Sequence, residues 1–209
     1  MKLASALYDG HYPFNQWKMF TDFTTVVNPD ELTGVDALVV WGGEDISPSL
    51  YNQSVRRETG AGPVPSRRDT LEWNLMKSAV ERGIPIIGVC RGAQMLCALA
   101  GGTLYQHVNN HAGSSHDAEC DDGSIIKVSS LHHQMMNPTN TEHELVAWST
   151  EVRSNVHLDD TGDVPTLIEP EYIYFPKVKG HAIQWHPEFQ GLDAGANVWL
   201  RDRWINKGL

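Results

Sequence analysis

Cys90, His186 and Glu188 carry the three side chains that a cysteine-dependent hydrolase combines. A cysteine thiolate attacks a carbonyl carbon, a histidine exchanges protons with the thiol and the leaving group, and a carboxylate orients the imidazole. Only Pro187 separates His186 from Glu188, so in an extended segment these two side chains project to the same side. The three residue types therefore predict nucleophilic acyl transfer.

The sequence around Cys90 favours its role as the nucleophile. Gly88, Cys90 and Gly92 form the pattern G-x-C-x-G, a counterpart of the G-x-S-x-G elbow between a strand and a helix. Glycine on both sides lets the strand and the helix approach around a strained turn. The thiol then lies at a helix N-terminus, where the dipole favours the thiolate, and the backbone N–H of Arg91 points at the developing oxyanion. The alternative is an unreactive core cysteine, the usual state of a free cysteine.

Four blocks of the sequence follow one another in an order typical of a single enzyme superfamily. The blocks are residues 41–51, Arg68-Asp69 with Glu72, residues 88–94 with 101–106, and residues 130–134 with 184–188. With these blocks the chain resembles the class I glutamine amidotransferase superfamily, and especially its γ-glutamyl hydrolase branch. The resemblance implies cleavage of the γ-amide of glutamine or of a γ-glutamyl conjugate through a thioester, without a metal or an organic cofactor.

The resemblance also implies roles for particular residues. Cys90, His186 and Glu188 are expected to form a Cys-His-Glu triad, and the backbone N–H groups of Gly43 and Arg91 are expected to form the oxyanion hole. The residues expected to line the γ-glutamyl pocket are Gln94, His132, His133 and Gln134. Either of the two histidines is also open to a simpler interpretation, as a hydrogen-bonded structural group beside the cleft.

Three functional hypotheses stay open at this point. The first is a stand-alone γ-glutamyl hydrolase that acts on a small γ-glutamyl substrate, and the second is a glutaminase subunit that passes ammonia to a synthetase partner. The third is a non-catalytic binding domain, which the complete triad disfavours. Residues 151–176 and the brief segment before Trp41 depart from the family pattern, so the amine leaving group is not predicted.

The elements that position these residues follow from an alternation of short apolar runs with amphipathic stretches. It predicts an α/β fold with a mostly parallel central sheet flanked by helices, in one domain over residues 1–209, which the resemblance narrows to the flavodoxin-like type. The predicted strands are 3–7, 35–41, 84–89, 102–108, 125–130, 145–149, 166–169 and 181–185. The predicted helices are 69–82, one that begins at residue 93, and 194–205, and the polar stretch 109–123 is predicted to be a loop.

Composition excludes several classes of partner. The net charge of −10, without a basic run, disfavours binding to nucleic acid or to an anionic membrane surface. No apolar stretch is long enough to cross a bilayer, and the N-terminus lacks a signal core. Three unevenly spaced cysteines agree with a reducing compartment, so a cytoplasmic location is expected. The oligomeric state is not predicted.

A histidine-rich stretch invites a metal hypothesis that the spacing does not support. His107, His111 and His116 precede Cys120, but they match no known set of metal ligands. The favoured interpretation is a solvated loop, and no metal site is predicted.

Overall fold

A nine-stranded sheet organises the residues that the structure, a computed structural model, describes, namely 1–6 and 13–209. The strands follow the order β2-β1-β3-β4-β13-β12-β10-β7-β8. Neighbours from β2 to β13 pair in parallel, and the pairs from β13 to β8 are antiparallel. The strands are β1 Lys2–Ala6, β2 Asp22–Val26, β3 Ala37–Val40, β4 Ile86–Val89, β5 Thr103–Tyr105, β6 His107–Val108, β7 Ala112–Cys120, β8 Ile125–Leu131, β9 Met135–Asn137, β10 Glu144–Ser149, β11 His157–Leu158, β12 Pro170–Phe175 and β13 Gly180–Ile183.

Helices cover both faces of the sheet. They are α1 Pro13–Gln16, α2 Arg67–Glu81, α3 Arg91–Leu99 and α4 Gly195–Lys207. One apolar core contains Leu75 of α2 and Leu96 of α3 against β3, β4 and β13. The other contains Phe14 of α1 and Trp204 of α4 against the opposite face. Burial on both faces explains why β3 and β4 are apolar throughout.

The carboxyl ends of the parallel strands bring the predicted reactive residues together. β3 ends at Val40 just before Gly42-Gly43, β4 ends just before Cys90, and β13 ends at Ile183, shortly before His186. Since β3 and β13 are the neighbours of β4, all three ends meet at one edge of the sheet. Open α/β sheets bind their ligands at this edge.

The predicted α/β class, with a mostly parallel central sheet flanked by helices, is confirmed. Most predicted elements occur within a few residues of their expected bounds, and residue 7 of the predicted first strand lies outside the described residues. That residues 1–209 form one domain stays a prediction. Within the described part of the chain, no helix is long and apolar enough to span a membrane.

Two predictions about elements were wrong. Residues 109–123 are not a solvated loop, because Ala112–Cys120 forms β7, which pairs with β8 in a hairpin. The strand predicted at 166–169 instead begins at Pro170, as β12. Both errors have the same physical cause: buried polar residues, His116 in β7 and Glu171 in β12, interrupt the apolar pattern by which a strand is recognised.

Candidate active site

Cys90 occupies the strained turn between β4 and α3. It has φ of 51° and ψ of −107°, a conformation that a side chain rarely adopts. A Cβ on Gly88 would lie 2.5 Å from the carbonyl oxygen of Gly92, and a Cβ on Gly92 would collide with the carbonyl oxygen of Val40. Both flanking positions therefore require glycine, as the elbow pattern predicts.

His186 links the thiol of Cys90 to the carboxylate of Glu188. Its Nδ1 lies 2.6 Å from Glu188 Oε1, and its ring interacts electrostatically with the Cys90 side chain. Burial lowers the pKa of His186, but the interactions with Cys90 and Glu188 outweigh burial and raise the pKa to about 10. The structure thus brings all three predicted triad residues together and favours an imidazolium between two acceptors.

Three neighbours fix the position of His186. Ser129 Oγ on β8 accepts a hydrogen bond from the backbone N–H of His186 at 3.0 Å and lies 3.2 Å from its carbonyl oxygen. The ring of Phe189 stacks on the imidazole with centroids 4.7 Å apart. Gly42 lies under the ring, where a Cβ would come within 2.5 Å of Cε1. The imidazole therefore has little room to turn away from Cys90.

Gln184, the residue that follows β13, contacts Cys90. Its Nε2 donates to Cys90 Sγ at 3.8 Å, a contact suited to a thiolate. This residue belongs to the sequence block 184–188 but was assigned no role there, although it stands two positions before His186 and so projects to the same side of an extended segment. Burial raises the pKa of Cys97 and of Cys120 to about 12, which disfavours the thiolate form of both side chains.

Gly43 and Arg91 follow the ends of two neighbouring strands, β3 and β4. Gly43 follows β3 with φ of 150°, in the region that favours glycine, and Arg91 is the first residue of α3. The first N–H groups of a helix have no partner within it. The role of the backbone N–H groups of Gly43 and Arg91 as oxyanion donors stays a prediction.

A buried ion-pair network lies behind these two residues. Arg91 Nη2 donates to Asp69 Oδ1 at 2.5 Å, and Arg91 Nη1 donates to Glu72. Glu72 Oε1 also accepts from Arg68 Nε at 3.0 Å. Ser66 and Asp69 cap α2 reciprocally, which fixes the first turn that carries the network. The sequence offered one signal, the spacing of four residues between Arg68 and Glu72.

Of the residues predicted to bind the γ-glutamyl group, three are buried and His133 is half-buried. Gln94 Nε2 and His132 Nδ1 both contact the carbonyl oxygen of Gln134, at 3.1 and 2.9 Å. His133 instead points away and contacts Asp45 at 3.1 Å, and this hydrogen bond raises its pKa. His132 thus has the contacts of a structural group, while pocket-lining roles for all four residues stay predictions.

Buried histidines and glutamates form a cluster within the antiparallel half of the sheet. His116 Nε2 lies 2.9 Å from Glu171 Oε1, and His111 Nε2 lies 3.1 Å from Glu169 Oε2. Ligand atoms of His111, His116 and Glu171 lie within 4.8 Å of one another, so these residues could hold a metal ion. Hydrogen bonds to His116 and His111 hold the pKa values of Glu171 and Glu169 down to about 2, although burial acts first and in the opposite direction. Each buried carboxylate thus has a histidine partner, while Glu171 Oε2 and His116 Nδ1 are buried without a hydrogen-bond partner among the described residues.

Comparison of sequences relates the chain to known proteins. The Peptidase C26 family model matches residues 27–125. A glutamine amidotransferase-like protein of Lactococcus lactis is 30% identical over 178 residues, which are 75% of this chain and 67% of that protein. A Mycobacterium tuberculosis protein that carries a glutamine amidotransferase name is 31% identical over 177 residues, which are 75% of this chain. The chain spans only 52% of that relative's length.

One further relative and one solved structure complete the comparison. The γ-glutamyl-γ-aminobutyrate hydrolase of Escherichia coli O157:H7 is 27% identical over 176 residues, which cover 71% of this chain and 62% of the relative. A glutamine amidotransferase from Thermotoga maritima superposes with a TM-score of 0.59 at 14% identity, over 99% of this chain and 82% of its own. At that identity the superposition shows a shared fold.

Proposed function

This chain belongs to the glutamine amidotransferase-like family, in its peptidase C26 branch, and we propose that it is a cysteine-dependent hydrolase of γ-glutamyl amides. The observation that carries the proposal is that His186 Nδ1 lies 2.6 Å from Glu188 Oε1 while its ring interacts with Cys90, the residue on the strained elbow. This arrangement supplies a nucleophile, a proton carrier and an orienting group in one cleft.

In the first half-reaction the Cys90 thiolate attacks the γ-carbonyl carbon, and the carbonyl oxygen takes the negative charge. The backbone N–H groups of Gly43 and Arg91 stabilise that oxyanion. The C–N bond then breaks, and the imidazolium of His186 gives its proton to the departing amine. The products of this step are the free amine and a γ-glutamyl thioester on Cys90.

In the second half-reaction water releases the acyl group. Neutral His186 removes a proton from a water molecule while that water attacks the thioester carbonyl, and Glu188 stabilises the imidazolium that forms again. The C–S bond breaks, glutamate leaves, and the thiolate is restored beside the imidazolium. Every charge that develops has a partner among the chain's own groups.

The substrate class rests on the family and on the E. coli relative, which is named for hydrolysis of γ-glutamyl-γ-aminobutyrate. A γ-glutamyl amine is therefore the first substrate to test. The alternative, a glutaminase subunit with a synthetase partner, uses the same triad. The glutamine amidotransferase names of several relatives support this alternative. The two hypotheses differ in the amine that leaves.

The test is a substrate panel that pairs glutamine and γ-glutamyl amines with their α-glutamyl isomers, with release of glutamate measured for each. The wild type is expected to cleave only γ-linked compounds. Cys90→Ala is expected to lose at least about 10³-fold in rate, because loss of a nucleophile removes the covalent route, while its circular dichroism spectrum stays unchanged.

Three outcomes distinguish the hypotheses. Preferential cleavage of γ-glutamyl amines supports the stand-alone hydrolase, and cleavage of glutamine alone, stimulated by an added synthetase, supports the subunit. Full activity in Cys90→Ala would refute both.

A further inference from the structure

Arg68 contacts the peptide group whose N–H is proposed to bind the oxyanion. The carbonyl of Gly42 and the N–H of Gly43 belong to one peptide unit, and Arg68 Nη2 donates a hydrogen bond to that carbonyl at 2.9 Å. The same nitrogen lies 3.4 Å from the carbonyl oxygen of Trp41. Because a peptide unit is planar, a bond that fixes the direction of its C=O also fixes the direction of its N–H.

This peptide unit needs support from outside because glycines stand on both sides of it. Glycine has wide conformational freedom, and Gly43 uses it, with φ of 150°. The guanidinium of Arg68 packs directly on Gly43, where a Cβ would collide with Arg68 Nη1. Arg68 therefore restrains a segment that has no side chain of its own to hold it.

Arg68 is in turn held by the network that reaches the second proposed oxyanion donor. Its Nε donates to Glu72 Oε1 at 3.0 Å, one turn further along α2. Glu72 is fully buried and also accepts a hydrogen bond from the side chain of Arg91. One buried carboxylate thus orients the side chains that adjoin both donors.

We infer that Arg68 is a positioning residue for the oxyanion hole, an inference that rests on the proposed hydrolase function. A charged donor on a peptide carbonyl polarises the unit, so that its N–H becomes a stronger donor. Arg68 acts on the Gly43 N–H in two ways, by orienting it and by polarising it, and it touches neither the substrate nor the thiol. Its contribution appears when negative charge develops on the substrate carbonyl.

The test compares Arg68→Ala and Arg68→Lys with Arg67→Ala, a matched control. Arg67 is the preceding residue of α2, carries the same charge and is exposed. Arg68→Ala is expected to lower kcat about 10- to 100-fold, less than the roughly 10²- to 10³-fold cost of losing an oxyanion donor outright, with little change in KM. Arg68→Lys, which can reach Gly42 or Glu72 but not both, is expected to fall between Arg68→Ala and the wild type.

Two readouts separate positioning from a general loss of structure. Iodoacetamide alkylates the Cys90 thiolate at a saturated carbon without an oxyanion, so Arg68→Ala should react at the wild-type rate. A cavity of about 190 Å³ that Arg68, Asp69 and Arg91 line gives solutes access to this position. Added guanidinium ion should therefore restore part of kcat in Arg68→Ala and have no such effect on Arg67→Ala.

The outcomes are distinct. A wild-type kcat in Arg68→Ala overturns the inference, and so does a raised KM with unchanged kcat, which would place Arg68 in substrate binding instead. If Arg68→Ala fails to fold, Arg68→Lys is judged by the same criteria. A wild type that cleaves no γ-glutamyl compound refutes the proposed function itself, independently of Arg68.

Discussion

The proposed mechanism requires His186 to hold a proton when the amine departs and to lack one when water attacks. Its contacts serve the first requirement, because Glu188 and Cys90 both stabilise the imidazolium. The second requirement is met once the thioester forms, since acylation removes the charge on sulfur that helped to hold the proton. Whether Cys90 is acylated or free thereby sets the protonation state of His186 that each half-reaction needs.

The pH profile of kcat/KM tests this view of His186. Its raised pKa, about 10, means that the imidazolium persists at neutral pH and is lost as the pH rises through that value. The alkaline limb of the profile is therefore expected near pH 10, well above the ordinary histidine value of about 6.5. Glu188→Gln, which removes one stabilising charge, should move the limb to lower pH in the residual activity. An alkaline limb near 6.5 in the wild type would contradict the imidazolium assignment.

The three residues proposed as the triad could be selected from the sequence, whereas the contacts that support them could not. The flanking glycines identify Cys90 as a candidate nucleophile. The spacing of His186 and Glu188 identifies them as a candidate base and its orienting carboxylate. Ser129 acts through backbone atoms of His186, a residue that lies on a distant part of the chain. Such a contact depends on which strands are neighbours, and the order of the strands could not be predicted from hydrophobic pattern.

Among the elements, the packing of α3 against β3 sets the position of the nucleophile. α3 can approach the sheet closely only because Gly92 faces the backbone of Val40. The side chain of Leu96, one turn further on, fills the space beside Gly180 of β13, where a Cβ would lie 2.8 Å from its methyl carbons. Glycines at both contacts bring the helix N-terminus over the carboxyl ends of the strands.

Gly92→Ala tests this packing. The added methyl group would meet a backbone carbonyl of a buried strand, which cannot move aside, so the free energy of unfolding should fall by about 1–3 kcal/mol. Gly195→Ala is the control, because Gly195 also lies in the first turn of a helix but has open space around its Cβ position. Urea unfolding followed by tryptophan fluorescence measures both variants. Equal stability of Gly92→Ala and the wild type would show that the close approach is not needed.

The parallel strands were easier to predict than the antiparallel ones. β3 and β4 are apolar on both faces and read as continuous runs. β7 alternates instead, with His116, Ala118 and Cys120 inward and charged residues outward. The alternation was present in the sequence, but a histidine at an inward position resembles a loop residue until its buried carboxylate partner is known.

At the scale of the whole molecule, the parallel and antiparallel halves of the sheet, which meet at β13, carry different groups of functional side chains. The parallel half carries the elbow, and the antiparallel half buries the His–Glu cluster. The halves meet where the backbone N–H of Gln184 donates to the carbonyl oxygen of Glu171 at 2.8 Å, while the Gln184 side chain contacts Cys90. Among the described residues, hydrogen bonds thus link the cluster to Cys90 through Gln184, and the cluster contributes to stability through buried hydrogen bonds.

Removal of metal ions separates this structural role from a catalytic one. In the proposed mechanism backbone amides receive the oxyanion and His186 carries the protons, so a Lewis acid has no step to perform, and exhaustive chelation with EDTA should leave turnover unchanged. His116→Ala, by contrast, should lower the free energy of unfolding by about 3 kcal/mol, because it leaves the fully buried Glu171 without its 2.9 Å partner. His143→Ala, at an exposed histidine, is the control and should unfold like the wild type. If chelation stopped turnover, zinc restored it and Cys90→Ala stayed active, the nucleophile would be a metal-activated water and the cysteine mechanism would have to be abandoned.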